Sequence, residues 1–333
     1  MNRELVDRIA AAVLYEGYLL YPYRPSVKNR QRWTFGGLLP EAYCAAKQSG
    51  DASVMRTECI IRRRLTSGDA ATPDGIPQID VAVSFLHLVN RTQDEQRHSA
   101  WQEAVEREVR LGGLSLNALL TRPLRRQFSF PHAIRTEPPV TREEQEIEGS
   151  IDISAAVTDV ADCFRLSVCI ANQTPFDAAA GRTRDDALLH SFASTHAVLV
   201  ARGGAEFISM TDPPADCRAA VEACRNVGAW PILVGKQSET DTMLCSPIIL
   251  ADYPQLAPES PGDLFDGCEI DEILTLRIMA LTDDEKRQMR ATDARAAALL
   301  TRTEALTSEQ LMSLHGTMRE LRPVAPAGRG GDA

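Results

Sequence analysis

The sequence has no long apolar run and no excess of basic residues, and each absence excludes a class of protein. The longest apolar runs, such as residues 248–251, are far shorter than the roughly 20 residues that a membrane-spanning helix needs. The formal net charge is -10, which argues against general nucleic-acid binding, because that binding needs a basic face. Residues 1–7 lack the basic flank and the apolar run of a signal peptide. We therefore expect a cytoplasmic protein that neither binds nucleic acid nor inserts directly into a membrane.

Motifs that indicate a particular chemistry are also missing. The chain has no nucleophile elbow, no phosphate-binding loop of the Walker type and no dinucleotide-binding glycine fingerprint. None of the 8 cysteines forms a C-x-x-C pair, so free thiols are expected in a reducing cytoplasm. The sequence therefore names no catalytic residue and no cofactor, and it favours a non-enzymatic role.

Alternation of apolar and polar residues predicts β-strands between about residues 57 and 172. The clearest stretches are residues 81–89, 147–153 and 164–170, with a further short strand at Phe128 and Phe130. Residues 103–111 fit a helix as well as a strand, and we favour a strand. Strands with one apolar and one polar face are typical of antiparallel sheets. The predicted fold class is α+β, with an antiparallel β-sandwich-like core.

Other segments predict helices and short strands around this core. The expected elements are a helix over 4–20, a short helix over 184–194, a hairpin of 197–201 and 206–210 that turns at Gly203-Gly204, and strands over 231–234 and 246–250. Thr282 and Ser308 are residue types that cap helix N-termini, and we expect a helix to begin after each of them.

These elements suggest five regions along the chain. They are an N-terminal helix with a Tyr/Arg-rich segment (1–45), the antiparallel β-sandwich (46–210), an α/β segment packed on the sandwich (211–281), C-terminal helices (282–322) and a disordered tail (323–333).

Histidine and cysteine residues provide few candidates for a metal site. His190 and His196 flank a predicted helix-to-strand junction, but their spacing fits neither a helical nor a strand pair of ligands. His87 lies on the apolar face of its strand and is predicted to be a core histidine with satisfied hydrogen bonds. Cys163 and Cys169 share the polar face of a strand, but their separation in the sequence puts them far apart along it. Cys217 and Cys224 lie on one face of a helix, where packing is expected.

Residues 259–272 form a predicted loop that is rich in carboxylates, which are the ligands that hard cations prefer. The candidate metal ligands in this acidic loop are Glu259, Asp263, Asp266 and Glu269, with His190 or His196 nearby. The loop does not match the calcium loop of an EF-hand. A solvated acidic turn that leads into a helix is the favoured interpretation, and whether a metal binds stays open.

Four of the 6 tyrosines fall within residues 15–33, which we call the Tyr/Arg-rich segment. Its candidate partner-binding residues are Tyr15, Tyr18, Tyr21, Tyr23, Arg24, Arg30, Arg32 and Trp33. These residue types are the typical anchors of protein interfaces, so the segment is a candidate docking surface for an acidic partner. In the alternative interpretation, the tyrosine rings pack against the sheet with their hydroxyls at its rim. Stacking of single-stranded RNA is disfavoured by the net charge.

Six stretches of the chain carry a family resemblance. They are VLYEGYLLYPYR at 13–24, RWTFGG at 32–37, WPILVG at 230–235, SPIIL at 246–250, APESPGDLFDG at 257–267 and EIDEILTLR at 269–277. With these stretches the chain resembles accessory proteins that are encoded in the gene clusters of bacterial high-affinity uptake NiFe hydrogenases. The resemblance implies a role in assembling, maturing or organising the hydrogenase, and it implies no catalytic residue.

The leading hypothesis is therefore a non-enzymatic accessory protein that binds a hydrogenase subunit or maturation factor through the Tyr/Arg-rich segment. The alternative is a metal-dependent enzyme or a metal-delivery protein that uses the acidic loop and a nearby histidine. A third hypothesis is a structural subunit that forms a homo-oligomer through its last helix, with Leu311, Leu314, Met318 and Leu321 on one face.

Overall fold

Twelve β-strands are present in the part of the chain that the computed structural model describes. The described residues are 3–14, 36–48, 50–64, 77–93, 101–138, 140–178, 181–254, 275, 278–292 and 294–313. Their strands form two antiparallel sheets that pack face to face, and short helices cover the outer surfaces. The α+β fold with a sandwich-like core is thus confirmed.

The first sheet is built around β1, and we call it the β1 sheet. Its described strands are β1 (Val54–Arg63), β4 (Leu124–Phe130), β7 (Ile147–Val157), β8 (Cys163–Asn172) and β10 (Ala205–Phe207). They lie in the order β10-β1-β8-β7-β4, and all neighbours are antiparallel. Along β8 the buried side chains alternate with half-buried ones from Phe164 onward, as the sequence pattern predicted.

The second sheet is built around the long strand β2, and we call it the β2 sheet. Its described strands are β2 (Gln78–Gln93), β3 (Trp101–Ser115), β5 (Ala133–Glu137), β6 (Val140–Glu144), β9 (Ala193–Arg202), β11 (Trp230–Leu233) and β12 (Thr242–Ser246). One side of β2 pairs with β3. The other side pairs first with β9 and then, near the end of β2, with β6. The strand prediction for residues 103–111 is therefore confirmed.

The predicted hairpin of residues 197–201 and 206–210 is wrong. The chain does turn at Gly203 and Gly204, which both adopt positive φ angles. After the turn, however, the chain leaves the β2 sheet, and β10 pairs with β1, so that Ile61 lies opposite Phe207. Phe207 is fully buried, and its burial between the sheets explains why β10 crosses from one sheet to the other.

Strands β11 and β12 belong to the same sheet as β9, whereas the sequence assigned their residues to an α/β segment packed on the sandwich. Leu244 of β12 lies opposite Val198 of β9, and Ile232 of β11 lies opposite Leu244. The second strand ends at Ser246 rather than covering 246–250. Pro247 has no N–H to donate to a strand ladder, which agrees with this end point.

The inner faces of the two sheets form the main hydrophobic core. A group of phenylalanines lies at its centre: Phe85 stacks on Phe192 with ring centroids 4.6 Å apart, and Phe128 lies 5.5 Å from Phe192. Gly149 of β7 makes room for these rings, because a Cβ atom there would lie 2.5 Å from Phe128 and 2.8 Å from Phe192.

Short helices cover the outer faces and the ends of the sandwich. In the described ranges they are α1 (Arg3–Leu14), α2 (Glu41–Lys47), α3 (Leu116–Thr121), α4 (Arg184–Leu188), α5 (Arg218–Glu222), α6 (Asp283–Thr292), α7 (Ala294–Glu304) and α8 (Ser308–Ser313). None of them is long and apolar enough to cross a membrane.

The helix ends agree in part with the sequence. Thr282 caps α6, because its Oγ1 accepts a hydrogen bond from the Glu285 N–H at 3.3 Å. The cap of α8 is Thr307 rather than Ser308, since the Thr307 hydroxyl accepts from the Gln310 N–H at 3.2 Å. Helix α4 is shorter than predicted and ends at Leu188.

Candidate functional site

The Tyr/Arg-rich segment and the acidic loop both fall outside the described residues. This applies to the candidate partner-binding residues Tyr15, Tyr18, Tyr21, Tyr23, Arg24, Arg30, Arg32 and Trp33, and to the candidate metal ligands Glu259, Asp263, Asp266 and Glu269. Their assignments stay predictions. The structure does describe the residues on either side of the Tyr/Arg-rich segment, and these define where it joins the body of the protein.

Helix α1 leads into the segment, and it is held by two hydrophobic clusters. Val6, Ile9 and Val13 are each at most 4% exposed and pack on the outer face of the β2 sheet. Leu14, the last described residue before the segment, belongs to a neighbouring cluster with Leu39. The periodic spacing of these apolar residues explains why the helix lies flat on the sheet. Leu14, which directly precedes the segment in the sequence, is therefore held in place.

Gly36 is the first described residue after the segment, and it is also fixed. Its carbonyl oxygen accepts a hydrogen bond of 3.0 Å from the Thr195 N–H. Its φ of +54° and its surroundings both require glycine, because an added Cβ would lie 2.6 Å from the Cβ of Pro247. Leu38 then exchanges two backbone hydrogen bonds with Phe192, at 2.9 and 3.0 Å.

Four of the stretches that carry the resemblance have described residues that meet in space. Val13 of the first stretch packs in one cluster with Ile232 and Val234 of the third, and with Ile248 of the fourth. Gly36 of the second stretch lies against Pro247, which also belongs to the fourth. Residues that are more than 200 positions apart in the sequence thus form one largely buried group, of which Val13, Ile232 and Val234 lie on the outer face of the β2 sheet. We call it the signature patch.

The two histidines that the sequence singled out as possible ligands are bound to backbone carbonyls. His190 Nδ1 lies 3.1 Å from the carbonyl oxygen of Glu146, and His196 Nδ1 lies 3.1 Å from that of Ser194. Burial lowers the pKa of both imidazoles. Over the described ranges, no three His, Cys, Asp or Glu side chains come together in a way that could hold a metal ion.

Charged side chains gather at the end of β2, and we call this group the charged face. The sequence did not indicate it. We define it by Arg91, Glu103, Arg107, Arg142 and Glu144, which come from β2, β3 and β6. The strand register explains their meeting: Arg107 lies opposite Phe85, and Glu103 and Glu144 lie on either side of Val89. Residues opposite each other in antiparallel strands share a face. At this end of the β2 sheet, charged side chains therefore occupy the face that carries apolar core residues elsewhere.

Ion pairs connect the strands of the charged face. Arg107 Nη2 donates to Glu144 Oε2 at 2.5 Å, across the intervening strand β2. Glu103 accepts from Arg142 at 2.7 Å and lies 2.9 Å from Arg91 Nε. The Glu144 side chain is only 4% exposed, so its charge depends on these cations rather than on water.

His87 is fully buried near the Arg107–Glu144 pair. The prediction of a core histidine is confirmed, but its hydrogen bonds are not satisfied: within the described part of the chain, neither ring nitrogen has a partner. Burial, followed by the nearby Arg107 cation, lowers its pKa to about 4. The imidazole is therefore neutral at pH 7.

Two cysteines that are distant in the sequence meet in the structure. The Sγ of Cys163 lies 3.7 Å from the Sγ of Cys217, which is the N-cap residue of α5. Arg62 of β1 donates to both sulfurs, at 3.3 Å to Cys163 and 2.8 Å to Cys217. Both thiols are buried in a small cluster on the outer face of the β1 sheet, together with Ile60. No local motif announces this pair, because its members come from distant parts of the chain.

Comparison with known proteins adds no family assignment. No model of a protein family matches the chain, and no curated protein matches it significantly.

Proposed function

We propose that this chain is a non-enzymatic, cytoplasmic accessory protein that binds a hydrogenase subunit or maturation factor during assembly of a NiFe hydrogenase. The observation that carries the proposal is the signature patch. Stretches that resemble the accessory family are scattered through the sequence, yet Val13 and Gly36, which flank the Tyr/Arg-rich segment in the sequence, lie together with Ile232, Pro247 and Ile248. Val13 and Ile232 are themselves buried, so the patch would hold the flanking segment in position for one partner rather than contact that partner.

The attachment of the segment favours binding. The described residues that flank it are held in place, Leu14 by burial and Gly36 by its contacts with Thr195 and Pro247. A chain that is held at both ends has fewer conformations to lose when it docks, so less of the interaction energy is spent on ordering. Tyr and Trp rings also supply large contact areas at low conformational cost.

The charge of the segment indicates the chemistry of the partner surface. Residues 15–33 contain four basic residues and a single acidic one, in a protein whose net charge is -10. Such a basic strip is attracted to an acidic surface, and electrostatic complementarity of this kind mainly raises the rate and specificity of association. The proposed partner surface is therefore acidic and contains apolar pockets for tyrosine rings.

The proposal is tested by affinity purification of the tagged protein from its native host, followed by mass spectrometry of the proteins that accompany it. We expect hydrogenase subunits or maturation factors with the natural chain. We expect their loss when Tyr18, Tyr21 and Arg24 are all changed to Ala, because interface anchors of these types carry most of the binding energy.

A matched control changes three exposed residues of β4, namely Arg125, Arg126 and Gln127, to Ala. This control should keep the partner. Circular dichroism and thermal unfolding of both variants report on the fold. Loss of the fold in the tyrosine variant would instead support packing of the tyrosines against the sheet. Recovery of the natural protein without any hydrogenase component would contradict the proposal.

A further inference from the structure

We infer that Cys163 and Cys217 are a redox-sensitive thiol pair that a hydroperoxide converts to a disulfide. Their sulfurs lie 3.7 Å apart, and a disulfide needs a separation of about 2.0 Å. The sulfurs must therefore approach each other by less than the width of one atom. This inference concerns a modification site on the outer face of the β1 sheet and is independent of the proposed partner binding.

The backbone on one side of the pair can supply this movement. Cys163 begins β8 and lies opposite Arg62 in the ladder with β1, so its position is set by the sheet. Cys217 is the N-cap residue of α5, a helix of five residues in the connection between β10 and β11. A short helix within a connection adjusts more easily than a strand inside a sheet, so Cys217 is the member that moves.

Arg62 separates the two sulfurs from solvent. Its guanidinium contacts both of them and also donates to Asp216 at 2.6 Å. The Arg62 side chain is 26% exposed and that of Asp216 is 59% exposed. Because exposed ion pairs are weak, this cover opens readily, and a small oxidant then reaches the thiols.

The guanidinium also favours the reactive form of the sulfur. A thiolate, rather than a thiol, attacks the oxidant, and a neighbouring arginine stabilises the thiolate. Burial has the opposite and larger effect, and it raises the pKa of Cys217 to about 11. The pair should therefore react slowly at neutral pH and faster as the pH rises.

The reaction is a two-electron oxidation of the thiols and a two-electron reduction of the peroxide. One thiol loses its proton, and its sulfur attacks an oxygen of the hydroperoxide, so that the O–O bond breaks and an alcohol or water leaves. The sulfenic acid that forms is then attacked by the second sulfur. Its S–O bond breaks, water leaves, and the S–S bond is complete.

The test uses the full-length protein and hydrogen peroxide. After treatment, the remaining free thiols are alkylated, and the protein is digested without reductant and examined by mass spectrometry. We expect a peptide that links Cys163 to Cys217 and that disappears after reduction with dithiothreitol. The rate at which this linked peptide forms should rise roughly tenfold per pH unit between pH 7 and 9, because the thiolate fraction rises by that factor.

Two variants and a control complete the experiment. Cys163→Ser and Cys217→Ser should both lose the linked peptide. Cys169→Ser, which changes a half-buried thiol on the same strand, should keep it. The disulfide would close a loop between residues 54 positions apart, so the oxidised natural protein should unfold about 5–10 °C higher than the reduced form.

Either of two results with the natural protein would overturn the inference, and neither depends on the variants folding. One is that both cysteines are still free thiols after peroxide treatment and are therefore alkylated. The other is that they are oxidised separately to sulfinic acids without a link. Both readouts are distinct from the recovery of a partner protein.

Discussion

His87 combines an ionisable ring with complete burial and with two nitrogens that lack partners in the described structure. Its pKa is about 4 in the folded protein, against an ordinary value of 6.5. The unfolded chain therefore takes up a proton near pH 6.5, whereas the folded protein resists it until about pH 4. Acid thus favours unfolding over this window, and His87 costs the folded state stability as the pH falls.

We predict that His87→Leu flattens the dependence of stability on pH. Between pH 6.5 and pH 4, the natural protein should lose about 3 kcal/mol more unfolding free energy than the variant, because a shift of one pKa unit corresponds to about 1.4 kcal/mol. Urea unfolding at a series of pH values measures this difference.

The matched control is His132→Leu, which removes a histidine whose side chain is 47% exposed. It accounts for any general effect of losing a histidine. If His87→Leu and the natural protein lost stability in parallel from pH 6.5 to pH 4, the buried neutral imidazole would have no role in acid sensitivity.

The end of the β2 sheet is held by side chains as well as by backbone ladders. Arg107 of β3 and Glu144 of β6 meet across β2, so their ion pair connects three strands. The Arg107 guanidinium also lies 4.7 Å from the centre of the Phe130 ring, which extends from β4 of the β1 sheet. The charged face thereby joins the two sheets where the hydrophobic core ends.

We predict that breaking this pair is costly. Glu144→Ala or Arg107→Ala should lower the unfolding free energy by about 3–5 kcal/mol, because each leaves a poorly solvated charge without its partner. Changing both residues to Ala should cost less than the sum of the two single changes. Urea unfolding of the four proteins gives the coupling energy.

Arg110→Ala provides the control, since Arg110 is 60% exposed and pairs with Glu108 on the surface of the same strand. Its effect should be below about 1 kcal/mol. A Glu144→Ala variant as stable as this control would show that the charged face does not hold the strands together.

At the scale of the whole molecule, the sandwich extends beyond the boundary that the sequence suggested at residue 210. Met243 and Cys245 of β12 are fully buried, and both belong to the core between the sheets. Strand β12 also supplies the ladder partner of β9. The region before residue 210 therefore lacks part of its own core.

We predict that a chain ending at residue 210 does not fold cooperatively. It would expose the inner side of β9 and leave the backbone groups along one edge of β9 without partners, which also promotes aggregation. Circular dichroism and urea unfolding should show a broad, weak transition in place of a sharp one. A chain ending at residue 322 is the control and should unfold like the natural protein. A sharp transition of the shorter chain would mean that residues before 210 are an independent domain.

Elements whose signals are local were predictable from the sequence. The strands at 81–89, 147–153 and 164–170 follow from a period of two, because neighbouring side chains in a strand point to opposite faces whatever the strand pairs with. The cap at Thr282 was predictable for the same reason, since a capping box involves only four consecutive residues. The cap of α8 was misplaced by one position, because Thr307 and Ser308 are both suitable hydroxyl residues.

The sequence alone thus determined the α+β class, most strands and the hypothesis of a binding role for the Tyr/Arg-rich segment. The tertiary structure decided which strands pair, that β10 crosses to β1, and that the sequence-distant stretches around Val13 and Ile248 share one patch. It also decided the contacts of Arg107 with Glu144 and of Cys163 with Cys217. Such contacts depend on the closure of long loops and on the burial of whole faces, which no short window of sequence contains.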